Sequence, residues 1–159
     1  MPRTTSPCGS NSAGAANATI SVRAAIQPCA TQGTTIAGLN TPNAAAQIKT
    51  LEIRGVNTDF NMITSTLTNE LSGGNGALTV SKSDGGVWVL NPSAANTFSG
   101  GLNANGGLLG LTANGIGTIG TIGVSNGGIF AYGADLAVSK AISWANNSAF
   151  IVAGQYNLS

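Results

Sequence analysis

Glu52, Asp59, Glu70, Asp84 and Asp135 are the five carboxylates in this 159-residue sequence, and there is no histidine to work beside them in acid-base chemistry. Without imidazole, neither a Ser-His-Asp nor a Cys-His arrangement can be assembled, and a His-based zinc site is excluded. A carbohydrate-cleaving site would need two or three acids on one face, with Arg or Lys beside them. The spacing does not gather them. On a 21-residue coil, Asp59 and Asp84 fall four positions out of register, and Asp84 and Asp135 nine. Glu52 with Arg54, and Asp84 with Lys82, read instead as local same-face pairs on a strand, which contribute little when exposed. No catalytic residue is expected, and the chain reads as a non-enzyme.

Two glycine patterns suggest ligands and fail on mechanism. Gly115-Ile116-Gly117-Thr118-Ile119-Gly120 satisfies G-x-G-x-x-G, with Asp135 following at i+20 from Gly115. A dinucleotide site needs a helix to open there, with its first amides facing the pyrophosphate. Gly123, Gly127 and Gly128 follow and forbid one. Gly73-Gly74-Asn75-Gly76-Ala77-Leu78 approaches a calcium-binding nonapeptide, but Ala77 stands where an Asp ligand is needed and no second copy follows. No cofactor-binding or metal-ligating residue is expected.

The elements that must carry these residues are read from composition and period. Charged residues are 7 % of the chain, against roughly 25 % in ordinary globular domains. A membrane-spanning helix needs ~18 to 20 apolar residues in a row, and Gly, Asn or Thr interrupts every run. Disorder goes with low hydrophobicity, whereas 42 % of these residues are hydrophobic and the mean hydropathy is +0.21. A folded β protein fits better, and the length suits one domain with its own core. The net charge is +1, and the six basic residues, Arg3, Arg23, Lys49, Arg54, Lys82 and Lys140, are scattered, so a nucleic-acid partner is not expected. Residues 4–18 are small and polar, so no signal peptide is visible after Met1.

Short apolar runs alternate with turn formers from Thr19 onward, at 19–22, 34–39, 47–53, 59–63, 77–80, 87–90, 108–112, 118–124, 129–132, 136–143 and 150–153. Residues 1–18 read as an irregular leader or worn first rung, and 19–159 as the solenoid. Asp84-Gly85-Gly86-Val87-Trp88, Asn105-Gly106-Gly107-Leu108-Leu109, Asn126-Gly127-Gly128-Ile129-Phe130 and Asn147-Ser148-Ala149-Phe150-Ile151 follow one another at a constant 21-residue interval. Hairpin-built sandwiches and barrels have no reason to hold a constant offset, whereas stacked coils do. The expected fold is all-β, a parallel β-helix: a single-stranded solenoid of about 21 residues per rung, each strand hydrogen-bonded in parallel to those above and below.

That spacing puts Trp88, Leu109, Phe130 and Ile151 in one column and Leu90, Leu111, Tyr132 and Ala153 in another, both assigned to the interior by period-two alternation. Val87, Leu108, Ile129 and Phe150 then form an outward apolar ridge, which marks either a contact surface or a face covered by another segment. Asp84, Asn105, Asn126 and Asn147 form a polar column, read as a structural ladder at turns.

At these residues the chain resembles the autotransporter-associated β-strand repeat, also called the passenger-associated transport repeat. The resemblance runs through Lys82, Gly86, Trp88, Val89 and Leu90, then Ala95-Asn96-Thr97-Phe98-Ser99-Gly100-Gly101, then Asn105-Gly106-Gly107 with Leu109. Asp84, Val87, Phe98 and Leu102 depart from the family pattern, and Asn91-Pro92-Ser93 adds about two residues to it. The resemblance implies a right-handed parallel β-helix from the secreted passenger of a Gram-negative type V protein. It implies a cell-surface or extracellular location, export through the outer membrane, and a C-terminal translocator barrel in the same parent chain, which these residues do not contain. The function then expected is a structural β-helical stalk segment that supports export and folding and displays adhesive or effector regions. The alternatives are a fragment of a β-helix carbohydrate-active enzyme and a glycan-binding module, the latter requiring Trp88 and Trp144 to be solvent-facing platforms. The expected partners are a host-surface or glycan ligand and, through open end rungs, other copies stacked end to end.

Cys8 and Cys29 share the same 21-residue spacing. Stacked strands about 4.8 Å apart would bring them within the Cα range of a disulfide. Coincidence in an irregular segment gives the same spacing. Thiol labelling under oxidising conditions separates the two: no free thiol means a bridge, two free thiols mean coincidence.

Overall fold

The computed structural model describes residues 19–24, 35–36, 49–69, 76–145, 151–152 and 155–159. Cys8, Cys29, Glu70, Asn147, Phe150, Ala153 and the leader at 1–18 lie outside the described residues. Among the described residues twelve strands follow one another: β1 (Thr19–Ala24), β2 (Thr35–Ile36), β3 (Lys49–Gly55), β4 (Asn61–Ile63), β5 (Leu78–Lys82), β6 (Val87–Leu90), β7 (Gly101–Ala104), β8 (Gly107–Leu111), β9 (Thr121–Val124), β10 (Gly127–Ala131), β11 (Ala141–Trp144) and β12 (Ile151–Val152). The odd strands form one sheet in the order β1-β3-β5-β7-β9-β11, and the even strands a second in the order β12-β10-β8-β6-β4-β2. Every paired neighbour is parallel. The chain is therefore a β-solenoid, with each coil placing one strand in each sheet. Among the described residues no helix is long and apolar enough to cross a membrane.

The interior is built by alternation. In the odd sheet Leu51, Val80, Leu102 and Ile122 pair in sequence as one buried column. Facing it in the even sheet, Ile63, Leu90, Leu111 and Ala131 pair as another, and all four are at most 1 % exposed. A third, mostly irregular side closes each coil with Leu67, Phe98, Ile119 and Leu136, which join the same core. With few ladder bonds available there, side chains bond to backbone one coil away: Thr112 Oγ1 donates to Leu90 O, and Thr118 Oγ1 to Thr97 O and Phe98 O. These bonds supplement the backbone bonds between coils on this side, such as the Thr118 amide to Phe98 O at 2.9 Å.

The coils are not all of one length, and this corrects several expected positions. Trp88 pairs with Leu109, a 21-residue step, but Leu109 pairs with Ile129, a 20-residue step. The difference lies on the third side, which runs 91–100 in one coil and 112–120 in the next. A one-residue slip sends every later side chain of the strand to the opposite face. The interior file is thus Trp88, Leu109 and Ile129, while Phe130 pairs with Gly110 and joins an outer cluster with Val87 and Val89. Ile129 is buried in the core, not on the outward ridge, and Ala131 takes the inner place expected for Tyr132. Tyr132 packs on the outer cluster, and Ile151 pairs with Gly128 rather than lying over Phe130. Trp88, Leu109, Leu90 and Leu111 stand where the alternation put them.

The corner between the sheets is tight. Only two residues separate β7 from β8, and two separate β9 from β10. Asp84 and Asn126 adopt positive φ at 64° and 55°, as does Gly107 at 61°. The expected Asp84, Asn105, Asn126 ladder is displaced as well, because Lys82 pairs with Ala104 at a 22-residue step and Gly107 with Gly127 at a 20-residue step. Gly106 is the residue that lies against the Asp84 backbone, and Asn105 reaches sideways, its Nδ2 donating to Ser81 Oγ at 3.0 Å. A Cβ on Gly107 would run into the Gly86 carbonyl oxygen of the coil below.

Gly107→Ala therefore combines left-handed strain with a backbone clash and is expected to lower unfolding free energy by about 2–4 kcal/mol. Gly85→Ala, where an added Cβ meets nothing within 4 Å, should stay within about 0.5 kcal/mol of the parent. Urea unfolding of the two variants checks the contrast, and equal losses would contradict it.

Candidate functional site

Four charged side chains, Glu52, Arg54, Lys82 and Asp84, converge where the odd sheet turns into the even one. Strand alternation decides their directions. Leu51 and Ile53 of β3 point inward, so Glu52 and Arg54 stand on the outer face and pair there at 3.4 Å. Asp84 reaches the same guanidinium from the next coil: Arg54 Nη2 donates to Oδ1 at 3.1 Å and Nε to Oδ2 at 3.3 Å. The Gly55 amide donates to Oδ2 as well. This two-pronged geometry suits a planar guanidinium and a carboxylate. The Asp84 hydrogen bond, then its charge, then the Glu52 charge raise the Arg54 pKa.

Lys82 departs from its expected pairing with Asp84. It pairs with Ile53 below and Ala104 above, in an inward-facing column, and is 0 % exposed. Its ammonium donates to three backbone carbonyls, Ser83 O at 2.7 Å, Asp84 O at 2.8 Å and Gly106 O at 2.9 Å. Three donors thus meet three acceptors, two in its own corner and one in the corner of the next coil. Burial pushes the Lys82 pKa down to about 8, while the Asp84 charge pulls it upward. Chemically the group is a clamp: the amine is enclosed, and the Asp84 oxygens are engaged by Arg54 and Gly55.

Three further polar residues hold coils together, and the sequence reading gave them no role. Asn61, fully buried, donates from Nδ2 to Val87 O at 2.8 Å and to Asp59 O at 3.1 Å. Asn96, 3 % exposed, accepts from the Leu67 amide at 2.7 Å and donates to Gly115 O at 2.9 Å, bridging the coils on either side of its own. Asn69 Oδ1 accepts from the Leu78 and Ser99 amides, both at 3.0 Å. The signal for Asn96 was present in Ala95-Asn96-Thr97-Phe98. Asn61 and Asn69 have no comparable motif around them. Trp88 is buried, its Nε1 donating to Arg54 O at 3.1 Å, whereas Trp144 on β11 is 59 % exposed. Asp59 and Asp135 do not join the charged corner. Among the described residues no three His, Cys, Asp or Glu side chains stand close enough to hold a metal ion.

The class this fold defines is the parallel β-solenoid. In comparisons with known proteins, the chain matches no protein-family model, no curated protein and no solved structure.

Replacing Lys82 by Met keeps the stem and removes the donors from three carbonyls. Lys82→Met is expected to lower stability by about 1–3 kcal/mol at pH 7. Between about pH 8 and the ordinary lysine range the folded chain has released this proton and the unfolded chain still holds it. Folding of the parent should therefore strengthen as pH rises through that window, and this contribution should vanish in Lys82→Met. Urea unfolding from pH 7 to 10 measures it, and identical pH slopes for the two proteins would contradict it.

Proposed function

We propose that this chain is a non-enzymatic structural segment, a solenoid stalk within an exported passenger that folds outside the cell and displays adhesive or effector regions. The supporting observation is the role of the residues that carry the repeat resemblance. Lys82 clamps two corners, Trp88 and Phe98 fill the core, Asn96 bridges three coils, and Gly100 and Gly107 sit where added Cβ atoms would meet backbone. The recognisable part of the sequence is spent on coil-to-coil contacts, as expected of a spacer whose task is to persist as a stack. Such a segment can fold coil upon coil, because each new coil finds its partner strands already in place.

Export is tested by fusing the chain to the translocator barrel of a well-characterised autotransporter and staining intact cells. The expected result is surface staining by an antibody to an N-terminal tag, with Gly107→Ala reducing the display of folded, protease-resistant chain. Retention of the parent fusion in the periplasm would overturn the proposal.

A further inference from the structure

The outer face of the even sheet is not smooth. Phe130, displaced outward by the short coil, lies across Gly110 against Val89, since a Cβ on Gly110 would sit 2.6 Å from its Cζ and 2.9 Å from Val89 Cγ2. Phe60, in the turn before β4, meets Phe130 with ring centres 6.0 Å apart and Tyr132 edge-on at 5.4 Å. Opposite them, Tyr156 bridges Ala131 in antiparallel fashion. It is followed by Asn157, whose amide and Nδ2 both donate to Asp135, at 2.8 and 3.2 Å. Phe60, Phe130, Tyr132, Gln155 and Tyr156 thereby surround an open depression of about 320 Å³.

On the other side of Tyr132 and Gly133 lies a second open depression, of about 380 Å³, lined by Asn91, Thr112, Asn114 and Asp135 among others. The two depressions are adjacent, with Tyr132 and Gly133 lining both. Each half falls in the size range of small-molecule sites, roughly 300–1,000 Å³.

The lining selects a ligand chemistry. The first half holds aromatic rings and a side-chain amide with no charged group, and the second holds amides, a hydroxyl and one carboxylate. Among the described residues no cation lines either half, so an anionic ligand meets only the Asp135 charge and is disfavoured. A purely apolar ligand would strip water from the bonding capacity that Asn91, Thr112, Asn114 and Asp135 have left beyond the Thr112 bond to Leu90 O, the Asn114 bonds to Pro92 O and Ser93 O and the Asn157 bonds to Asp135, at a desolvation cost. A pyranose has C–H faces that rest on rings and a rim of hydroxyls that bond to amides and carboxylates. Tyr presents both kinds of surface at once. Tyr132 directly follows β10, Phe60 is held in the turn before β4 by its contacts with Phe130 and Tyr132, and Tyr156 precedes Asn157, which is tied to Asp135, so the rings are positioned before a ligand arrives. We propose that these adjacent depressions bind a short neutral oligosaccharide, with Phe60, Tyr132 and Tyr156 as stacking surfaces and the Asn114–Asp135 end meeting hydroxyls. The site is separate from Trp144 and does not depend on how the chain reaches its location.

Titrating the ¹⁵N-labelled chain with maltotriose, cellotriose and chitotriose at millimolar concentration tests it, with amide shifts as the readout. At least one trisaccharide should give saturating shifts confined to the lining residues, 60, 91–92, 112–114, 130–136 and 155–156. Phe60→Ala and Tyr156→Ala should each weaken that binding about tenfold or more, and Trp144→Ala should leave it unchanged. Phe60 and Tyr156 are 51 % and 37 % exposed, so these variants should keep the parent core spectrum. Absence of saturating shifts with all three sugars would overturn the proposal. So would shifts centred on Trp144, or equal binding of an anionic tri-galacturonate or an apolar peptide.

Discussion

Everything in this molecule depends on how closely one coil's corner can settle on the next. At β7–β8 and β9–β10 the backbones approach so nearly that a Cβ has no room at Gly107 or Gly127. Close approach leaves carbonyls crowded in a place where water has poor access, and unpaired buried carbonyls are costly. Lys82 resolves this in one coil by turning a cation inward and dividing its three protons among three of them. The Arg54–Asp84 pair then holds the same corner from outside. Parallel register and the continuous core follow once the corners are seated.

A solenoid built this way tolerates coils of unequal length, because the irregular third side can absorb a residue without disturbing the corners. The tolerance is not free of consequence for the sheets. Losing one residue between β8 and β9 exchanged Ile129 for Phe130 in the core. The larger ring went outside, where the missing side chain of Gly110 gave it a seat. An aromatic flank arose from the same event, and it is the part of the surface with the most distinctive chemistry.

How far the sequence could be read follows from these particulars. The parallel coil was legible because Trp88 to Leu109 is a true 21-residue step and because Val87-Trp88-Val89-Leu90 is an unmistakable strand. β7 was missed because Gly101-Leu102-Asn103-Ala104 has one large apolar residue and two that favour turns. The recurrence of Asn-Gly-Gly at a constant 21 concealed the 20-residue coil: Asn126 aligns with Asn105 by letter, but with Gly106 by register. The charge of Lys82 points to an exposed place. Its inward direction follows from the Leu78, Val80, Lys82 alternation, which composition alone does not weigh. Glu52 with Arg54 was legible as a local pair; the arrival of Asp84 from another coil required knowing that Val80 lies directly over Leu51, across a longer coil than the repeat suggests.

The register of β8 against β10 is where the central claim is most exposed. Side-chain nuclear Overhauser contacts measure it directly on a methyl- and Phe-labelled chain. Coils that stack with a 20-residue step there must give contacts from Leu109 methyls to Ile129, and from the Phe130 ring to Val89. Contacts from Leu109 to the Phe130 ring, with Ile129 facing solvent, would contradict the stack described here.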